Sequence, residues 1–179
     1  GLVGVISDET KISEVMPEIN SLTYRGYAVQ ELCAECNFEQ VAYLLLHGEL
    51  PNPEQLKTFE EHEKSNRKIS DTLKKIIKNY PSNAHPMDTT RTSVSHMGLE
   101  DPDTEDNSPE SNMRKSMRLL AQISTAVAAN FRIRKGQEII DPDLSLSFSE
   151  NFFHMSFGKV PSPEVVKAVS YTHLRAHET

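Results

Sequence analysis

Apolar residues recur at helical spacing along most of the chain, between residues that commonly start and stop helices. The clearest stripe occupies positions i, i+3, i+4 and i+7, namely Leu73, Ile76, Ile77 and Tyr80. Ser70 or Asp71 can cap the start of this helix, and Pro81 ends it. The spacing therefore predicts a helix that buries one face.

The same signals divide most of the remaining chain into helices. Asn37, with Gln40 three positions later, has the form of a capping box, and Gly48 suits a left-handed helix end. Gly98 is interpreted as the end of one helix and Ser149 as the N-cap of another. The predicted helices cover 28–36, 38–47, 53–66, 71–80, 86–97, 109–135 and 150–157, and one more begins at Pro163.

The longest predicted helix, 109–135, combines one stripe of large apolar side chains with thin neighbouring faces. The stripe has a spacing of three and four residues and contains Met113, Met117, Leu120, Val127 and Phe131. Four alanines between positions 121 and 129 lie beside it. Small side chains of this kind would let another helix approach closely.

The residues before the first helix mix β-branched residues with the turn formers Pro17, Asn20 and Gly26. This mixture predicts a short, irregular pair of strands. The fold class predicted from the whole pattern is therefore mainly α, with a short irregular β segment at the N-terminus.

Composition and charge restrict the classes of function. The 179 residues include 37% hydrophobic and 25% charged residues, which is typical of a globular protein. With 19 basic and 26 acidic residues the formal charge is −7, which disfavours nucleic acid or an anionic membrane as the main partner. No apolar run approaches the roughly 20 residues of a membrane span, and no export signal is recognisable, so we expect a cytoplasmic protein.

Cys33 and Cys36 form a CxxC motif, which in other contexts indicates redox chemistry or half of a zinc site. A structural zinc site needs four ligands, and the chain has no second pair of cysteines. Since the motif lies in a predicted helix, we interpret the two residues as small apolar side chains. The sequence predicts no metal site.

Two polar stretches are interpreted as solvent-exposed. The charges of KTFEEHEKSNRK, residues 57–68, indicate a solvated helix face, and LEDPDTEDNSPES, residues 99–111, indicates an exposed connection.

A few residues are candidates for ligand contact or unusual chemistry. Arg132, Arg134 and Lys135 could meet an anionic ligand, although their place at a helix C-terminus, before a left-handed Gly136, also explains them. His85 precedes a helix N-terminus, which disfavours the imidazolium, yet a structural role is the preferred interpretation. No HExxH motif, glycine-rich phosphate loop or nucleophile elbow is present in the sequence.

Five ordered motifs resemble the N-terminal part of the citrate synthase family. They are SLTYRGYAVQEL, FEQVAYLLLHGELP, HPMDTTRTSVSHMGLEDPD, MRLLAQISTAVAANFR and NFFHMSFGKVP. The resemblance runs from Gly1 to about Ala168, and the flanking residues are most similar to the bacterial 2-methylcitrate synthase branch. It implies the large helical domain of the citrate synthase fold and a homodimer formed through helices at about 86–97 and 109–135.

The resemblance also implies a reaction. The family condenses an acyl-CoA, here propionyl-CoA or acetyl-CoA, with oxaloacetate and water, as an acyltransferase that converts the acyl group into an alkyl group on transfer. It holds no permanent cofactor, because acyl-CoA is a substrate. The family's catalytic histidines and aspartate lie beyond the matching part of the chain, so no catalytic residue is assigned and this chain is expected to be inactive.

The final residues, 169–179, match nothing in the family at that point. VSYTHLRAHET is interpreted as a non-native tail, namely adapter sequence translated after a truncated gene. His173 and His177 are therefore expected to be neither catalytic residues nor a metal pair.

Two hypotheses follow from these observations. The first is a partial helical domain, residues 1–168, of an acyl-CoA condensing enzyme. The alternative is a non-catalytic helical dimerisation module, which would form a soluble and specific dimer from this chain alone.

Overall fold

A computed structural model describes residue 4, residue 6 and residues 8–19 and 21–168. The described residues divide into two compact units, one formed by those up to Leu56 together with Ala168 and the other by Lys57–Lys167. The predicted tail, 169–179, with His173 and His177, lies outside the described residues.

The first unit begins with a small antiparallel sheet in the order β1 (Ser13–Met16), β2 (Ser21–Tyr24) and β3 (Tyr27–Ala28). A two-residue turn joins the last two strands, with Tyr24 paired to Tyr27. Both turn residues have positive φ, 50° at Arg25 and 88° at Gly26, as the tight turns of right-twisted hairpins require. The predicted strand pair is thus a three-stranded sheet.

Two helices pack on this sheet, α1 (Val29–Glu35) and α2 (Phe38–His47). The predicted capping box is confirmed, because Asn37 and Gln40 exchange side-chain and backbone hydrogen bonds of 2.8 Å each. Gly48 takes the predicted left-handed conformation, with φ 91°. The core of this unit contains Leu22, Tyr24, Val29, Leu32, Val41 and Leu44.

The helix α3 (Pro53–Ser65) contains the boundary between the units, and the second unit contains α4 (Asp71–Lys78), α5 (Pro86–Glu100), α6 (Pro109–Arg134) and α7 (Phe148–Phe157). Residues 163–168 are also helical. The helix α6 contacts α4, α5 and α7 and is therefore the centre of this unit. Its core contains Ile69, Leu73, Ile77, Met97, Ala126 and Ala129.

The face of α6 that is buried differs from the predicted stripe. Within the predicted stripe only Met117 is buried, whereas Met113, Leu120, Val127 and Phe131 are half-buried. The fully buried face consists mainly of small residues, Ala121, Thr125, Ala126, Ala128 and Ala129. Small side chains allow close helix packing, so the alanine face receives the neighbouring helices and the larger side chains remain partly exposed.

Several helix ends differ from their predicted positions by one to three residues, and three of them illustrate the difference. The helix α5 continues through Gly98 to Glu100, because the bend comes at Asp101, whose following proline disfavours helical backbone. The N-cap of α7 is Ser147 and not Ser149, since Ser147 and Glu150 form a capping box. The helix α1 ends at Glu35, so that Cys36 has extended backbone dihedral angles.

Candidate functional site

An open groove lies between the start of α5 and the end of α6, where the sequence places its candidate histidine and its basic cluster. Its volume is about 410 Å³. The residues that line it are Pro86, Thr90, Val127, Asn130, Phe131, Arg134 and Lys135. The groove thus has an apolar wall from α6 and two cationic side chains at its rim.

Buried polar groups beneath the groove connect the two helices. The side-chain amide of Asn130 donates a hydrogen bond of 2.8 Å to Oγ1 of Thr89, and that hydroxyl donates to the carbonyl of Pro86 at 2.7 Å. Both Thr89 and Asn130 are buried. Because each buried polar group has a partner, this chain of hydrogen bonds fixes α5 against α6.

His85 is the N-cap of α5. Its Nδ1 accepts a hydrogen bond of 3.2 Å from the backbone N–H of Met87, which requires that this nitrogen carries no proton. The side chain is exposed. The structure thus gives His85 a local capping contact, in agreement with the preferred structural interpretation.

The basic residues at the end of α6 bind backbone carbonyls and an aromatic ring. Arg134 donates to the carbonyl of Ala84, and Nη1 of Arg132 donates to the carbonyl of Ser156 at 3.3 Å. Nζ of Lys135 lies 4.6 Å from the ring centroid of Phe131. Each cation therefore has a partner within the fold, and the predicted left-handed Gly136 is confirmed with φ 68°.

A second, more polar groove runs along α4 and residues 138–141. Nζ of Lys74 lies 2.5 Å from Oδ1 of Asp141, and Nζ of Lys78 lies 2.9 Å from Oε2 of Glu138. The hydrogen bond from Lys78 holds the pKa of Glu138 below its ordinary value. Opposite charges thus fasten the connection after α6 to the surface of α4.

An ion pair between Glu63 and Arg67 is buried, so the prediction of a solvated face is wrong at these two positions. Nη2 of Arg67 lies 2.6 Å from Oε2 of Glu63, and the side-chain exposures are 0% and 1%. Arg67 also donates to the carbonyls of Asp143 at 3.2 Å and Leu146 at 2.8 Å. The guanidinium thus holds the loop before α7. In the sequence, the i, i+4 spacing of Glu63 and Arg67 indicates an ion pair but does not indicate its burial.

The connection after α5 carries a second network of charges. Arg118 donates to both carboxylate oxygens of Asp101, at 2.7 and 2.8 Å, and to Asp103 at 2.6 Å. Arg114 donates to both carboxylate oxygens of Asp103, at 2.8 and 3.0 Å. The side chains of Asp101 and Asp103 are 11% and 19% exposed, so the predicted exposed connection is wrong at these two residues.

This network gives stability that depends on pH. Hydrogen bonds from Arg118 hold the pKa of Asp101 below its ordinary value of 3.8, and those from Arg114 and Arg118 lower the pKa of Asp103. A carboxylate with a lowered folded-state pKa stabilises the fold above its unfolded-state pKa, and that stability disappears as pH falls toward the folded-state pKa.

We therefore expect Arg118→Gln to lower the free energy of unfolding at pH 7 by about 1 kcal/mol, a typical upper value for partly exposed pairs. The difference between variant and parent should become smaller as the pH falls below about 4, as the carboxylates gain protons. Urea unfolding over this pH range measures the effect, with Arg91→Gln as the control. If the difference in the free energy of unfolding were the same at every pH, the ion pairs of Arg118 with Asp101 and Asp103 would not be its cause.

The described ranges, 8–19 and 21–168 with residues 4 and 6, contain no group of three or more His, Cys, Asp or Glu residues that could hold a metal ion. In the same part of the chain no helix is long and apolar enough to cross a membrane. That this chain contains none of the family's catalytic residues stays a prediction.

Comparison with known proteins agrees with the mainly helical fold and its N-terminal sheet. A family profile described as "Citrate synthase, C-terminal domain" matches residues 1–175. The chain is 48% identical over 168 residues to a citrate synthase from Mycolicibacterium smegmatis, covering 94% of this chain and 44% of the relative. A 2-methylcitrate synthase from Mycobacterium tuberculosis is 46% identical, with coverages of 94% and 42%.

A solved structure shows the same arrangement of elements. The crystal structure of citrate synthase from Pyrobaculum aerophilum superposes with a TM-score of 0.89 and 28% identity, over 95% of this chain and 44% of that chain. The fold is thus similar to part of a mainly helical citrate synthase fold. The chain belongs to the citrate synthase family. It spans less than half the length of the curated relatives it matches.

Proposed function

We propose that this chain is part of an acyl-CoA condensing enzyme, a citrate synthase or 2-methylcitrate synthase. The enzyme would join the acyl group of acetyl-CoA or propionyl-CoA to oxaloacetate and, with water, release CoA and citrate or 2-methylcitrate. The observation that carries the proposal is the similarity over 94% of the chain to relatives with both names, at 48% and 46% identity.

The chemistry of this reaction needs groups that this part of the family does not supply. A base must take the α-proton of the thioester, and acids must stabilise the enol and protonate the carbonyl of oxaloacetate. We propose that these residues belong to the portion of the relatives that this chain does not span, and that the 179-residue chain alone is inactive. Acyl-CoA would be a substrate, with no permanently bound cofactor, in a cytoplasmic enzyme.

We also propose that α5 and α6 form a homodimer interface, over residues 86–97 and 109–135. The half-buried row Leu120, Val127 and Phe131 on α6 supports this, because an identical helix could cover the apolar side chains that the unit leaves partly exposed. The comparisons do not favour the alternative, a non-catalytic dimerisation module.

The proposal is tested by following the reading frame of the source gene past Ala168 and expressing the complete product. CoA release is measured with oxaloacetate and either acetyl-CoA or propionyl-CoA, against a blank without oxaloacetate and against the 179-residue chain. We expect release by the complete product with at least one acyl-CoA and none by the shorter chain.

Two results would contradict the proposal. One is a complete product that is folded but releases no CoA with either substrate. The other is condensation by the 179-residue chain itself, which would mean that its own residues perform the acid–base chemistry. Size-exclusion chromatography with light scattering on the complete product tests the homodimer separately, and a monomer would contradict that interface.

A further inference from the structure

The two cysteines of the first unit lie at the C-terminal end of α1. Cys33 belongs to the helix, and Cys36 is the first residue beyond it. The backbone N–H of Cys36 still donates to the carbonyl of Leu32 at 2.9 Å, so the helical path continues up to that amide. Both cysteines are reduced and half-buried.

Helix geometry places their backbones at a distance suitable for a disulfide. Because the residues from Cys33 to Glu35 are helical, the two Cα atoms lie about 5 Å apart. Disulfides usually join Cα atoms separated by roughly 4.4–6.8 Å. The pair therefore needs no movement of the helix backbone to satisfy this requirement.

The Cβ atoms need a small adjustment, and the local backbone can provide it. Residues three apart on a helix have Cβ atoms roughly 5–6 Å apart, whereas a disulfide needs about 4 Å. Cys36 has φ −114° and ψ 152°, outside the helical range. Rotation about its N–Cα bond moves the Cβ atom but leaves the amide that bonds to Leu32 in place.

The surroundings make such a bond slow to form. Burial, with a smaller contribution from the charge of Glu35, raises the pKa of the Cys36 thiol, so that little thiolate is present at neutral pH. Both side chains pack against the core cluster that includes Leu32 and Val41. A closed bond would thus affect the junction between α1 and α2.

We propose that Cys33 and Cys36 form a redox-active dithiol, which closes to an intramolecular disulfide by exchange with a small disulfide oxidant. One protein thiolate attacks the oxidant's S–S bond, forming a mixed disulfide and releasing one thiolate. The second protein thiolate then displaces the remaining oxidant thiolate. The protein thiols lose two protons and two electrons in total, and the oxidant is reduced to two thiols.

The test uses the whole chain in glutathione redox buffers. The protein is equilibrated with mixtures of glutathione and glutathione disulfide, quenched with acid, alkylated and analysed by intact mass and peptide mapping. We expect a species that has lost two hydrogens and takes up no alkylating reagent, with the bond mapped between Cys33 and Cys36. The equilibrium constant for forming the Cys33–Cys36 disulfide should be about tenfold larger in the folded chain than in the urea-unfolded chain, because the helix holds the thiols close together.

Matched variants separate closure from simple modification. Cys33→Ser and Cys36→Ser should each accumulate only the mixed disulfide with glutathione, and Cys33→Ala and Cys36→Ala repeat the comparison with an apolar replacement. An equilibrium constant for disulfide formation that is no larger in the native chain than in urea would overturn the proposal. Two thiols that remain open to alkylation in every buffer, or a disulfide between two chains, would overturn it as well.

Discussion

Replacing Arg67 by methionine is expected to lower the free energy of unfolding by about 3–5 kcal/mol, the cost of removing one partner from a buried ion pair. The substitution would leave the carboxylate of Glu63, which is 1% exposed, without its cation. It would also remove the donors to the carbonyls of Asp143 and Leu146. Urea unfolding followed by circular dichroism measures the change.

Two further variants make this expectation specific. Arg91→Met breaks an ion pair with Asp88 whose side chains are 77% and 56% exposed, and it should cost less than about 1 kcal/mol. The double replacement Glu63→Leu with Arg67→Met should recover much of the loss, because no unpaired charge then remains in the core. Equal costs for Arg67→Met and Arg91→Met would show that the buried pair does not stabilise the fold.

The effect should extend beyond the segment that follows α3, because Arg67 connects distant parts of the second unit. Its side chain holds the loop before α7, and its own carbonyl accepts a hydrogen bond of 2.7 Å from the buried hydroxyl of Thr125 in α6. Arg67 thus connects its own segment with Thr125, 58 residues away in sequence, and with Leu146, 79 residues away. The loop 143–146 should therefore lose protection from hydrogen exchange in the Arg67→Met variant.

Local signals were sufficient to predict most of the helices. The capping box of Asn37 and Gln40 and the left-handed Gly136 involve residues within a few positions of each other, and both are confirmed. Of the two predicted N-cap candidates for α4, Ser70 and Asp71, the structure selects Ser70. Such features depend on the first or last turn of a helix alone. They can therefore be recognised without knowledge of the tertiary structure.

Features that depend on tertiary contacts could not be predicted in this way. The pair Glu63 and Arg67 has the same spacing as an ordinary surface pair, but it is buried, and Arg67 forms hydrogen bonds with segments near residues 125 and 146. Likewise, α6 has two possible packing faces, and its neighbours select the alanine face instead of the larger side chains.

The candidate groove shows the same division between local and distant information. The position of His85 before α5 indicated a helix start, and the structure gives it the capping contact. The partner of Arg134 is the carbonyl of Ala84, 50 residues away, which no local pattern indicates. The sequence thus located the cationic residues, but their binding to backbone carbonyls follows only from the packing of α5 on α6.

The second large effect is expected for Ile77→Ala in α4. Ile77 is 0% exposed and packs in the core of the second unit with Leu73 and Met97. Removing a buried branched side chain costs the lost transfer free energy and leaves a cavity, together about 2–5 kcal/mol. We expect a fall of this size in the free energy of unfolding, measured by urea unfolding of the chain.

The neighbouring residue provides a matched control. Ile76 has the same side chain in the same helix but is only half-buried, so its replacement by alanine removes less apolar surface from contact with the protein. Both variants have the same change in helix propensity, which cancels in the comparison. The difference between the two losses in free energy of unfolding therefore measures the contribution of burying Ile77 in the core. A larger cost for Ile76→Ala would mean that α4 presents a different face to the core, and that the stripe beginning at Leu73 is placed incorrectly.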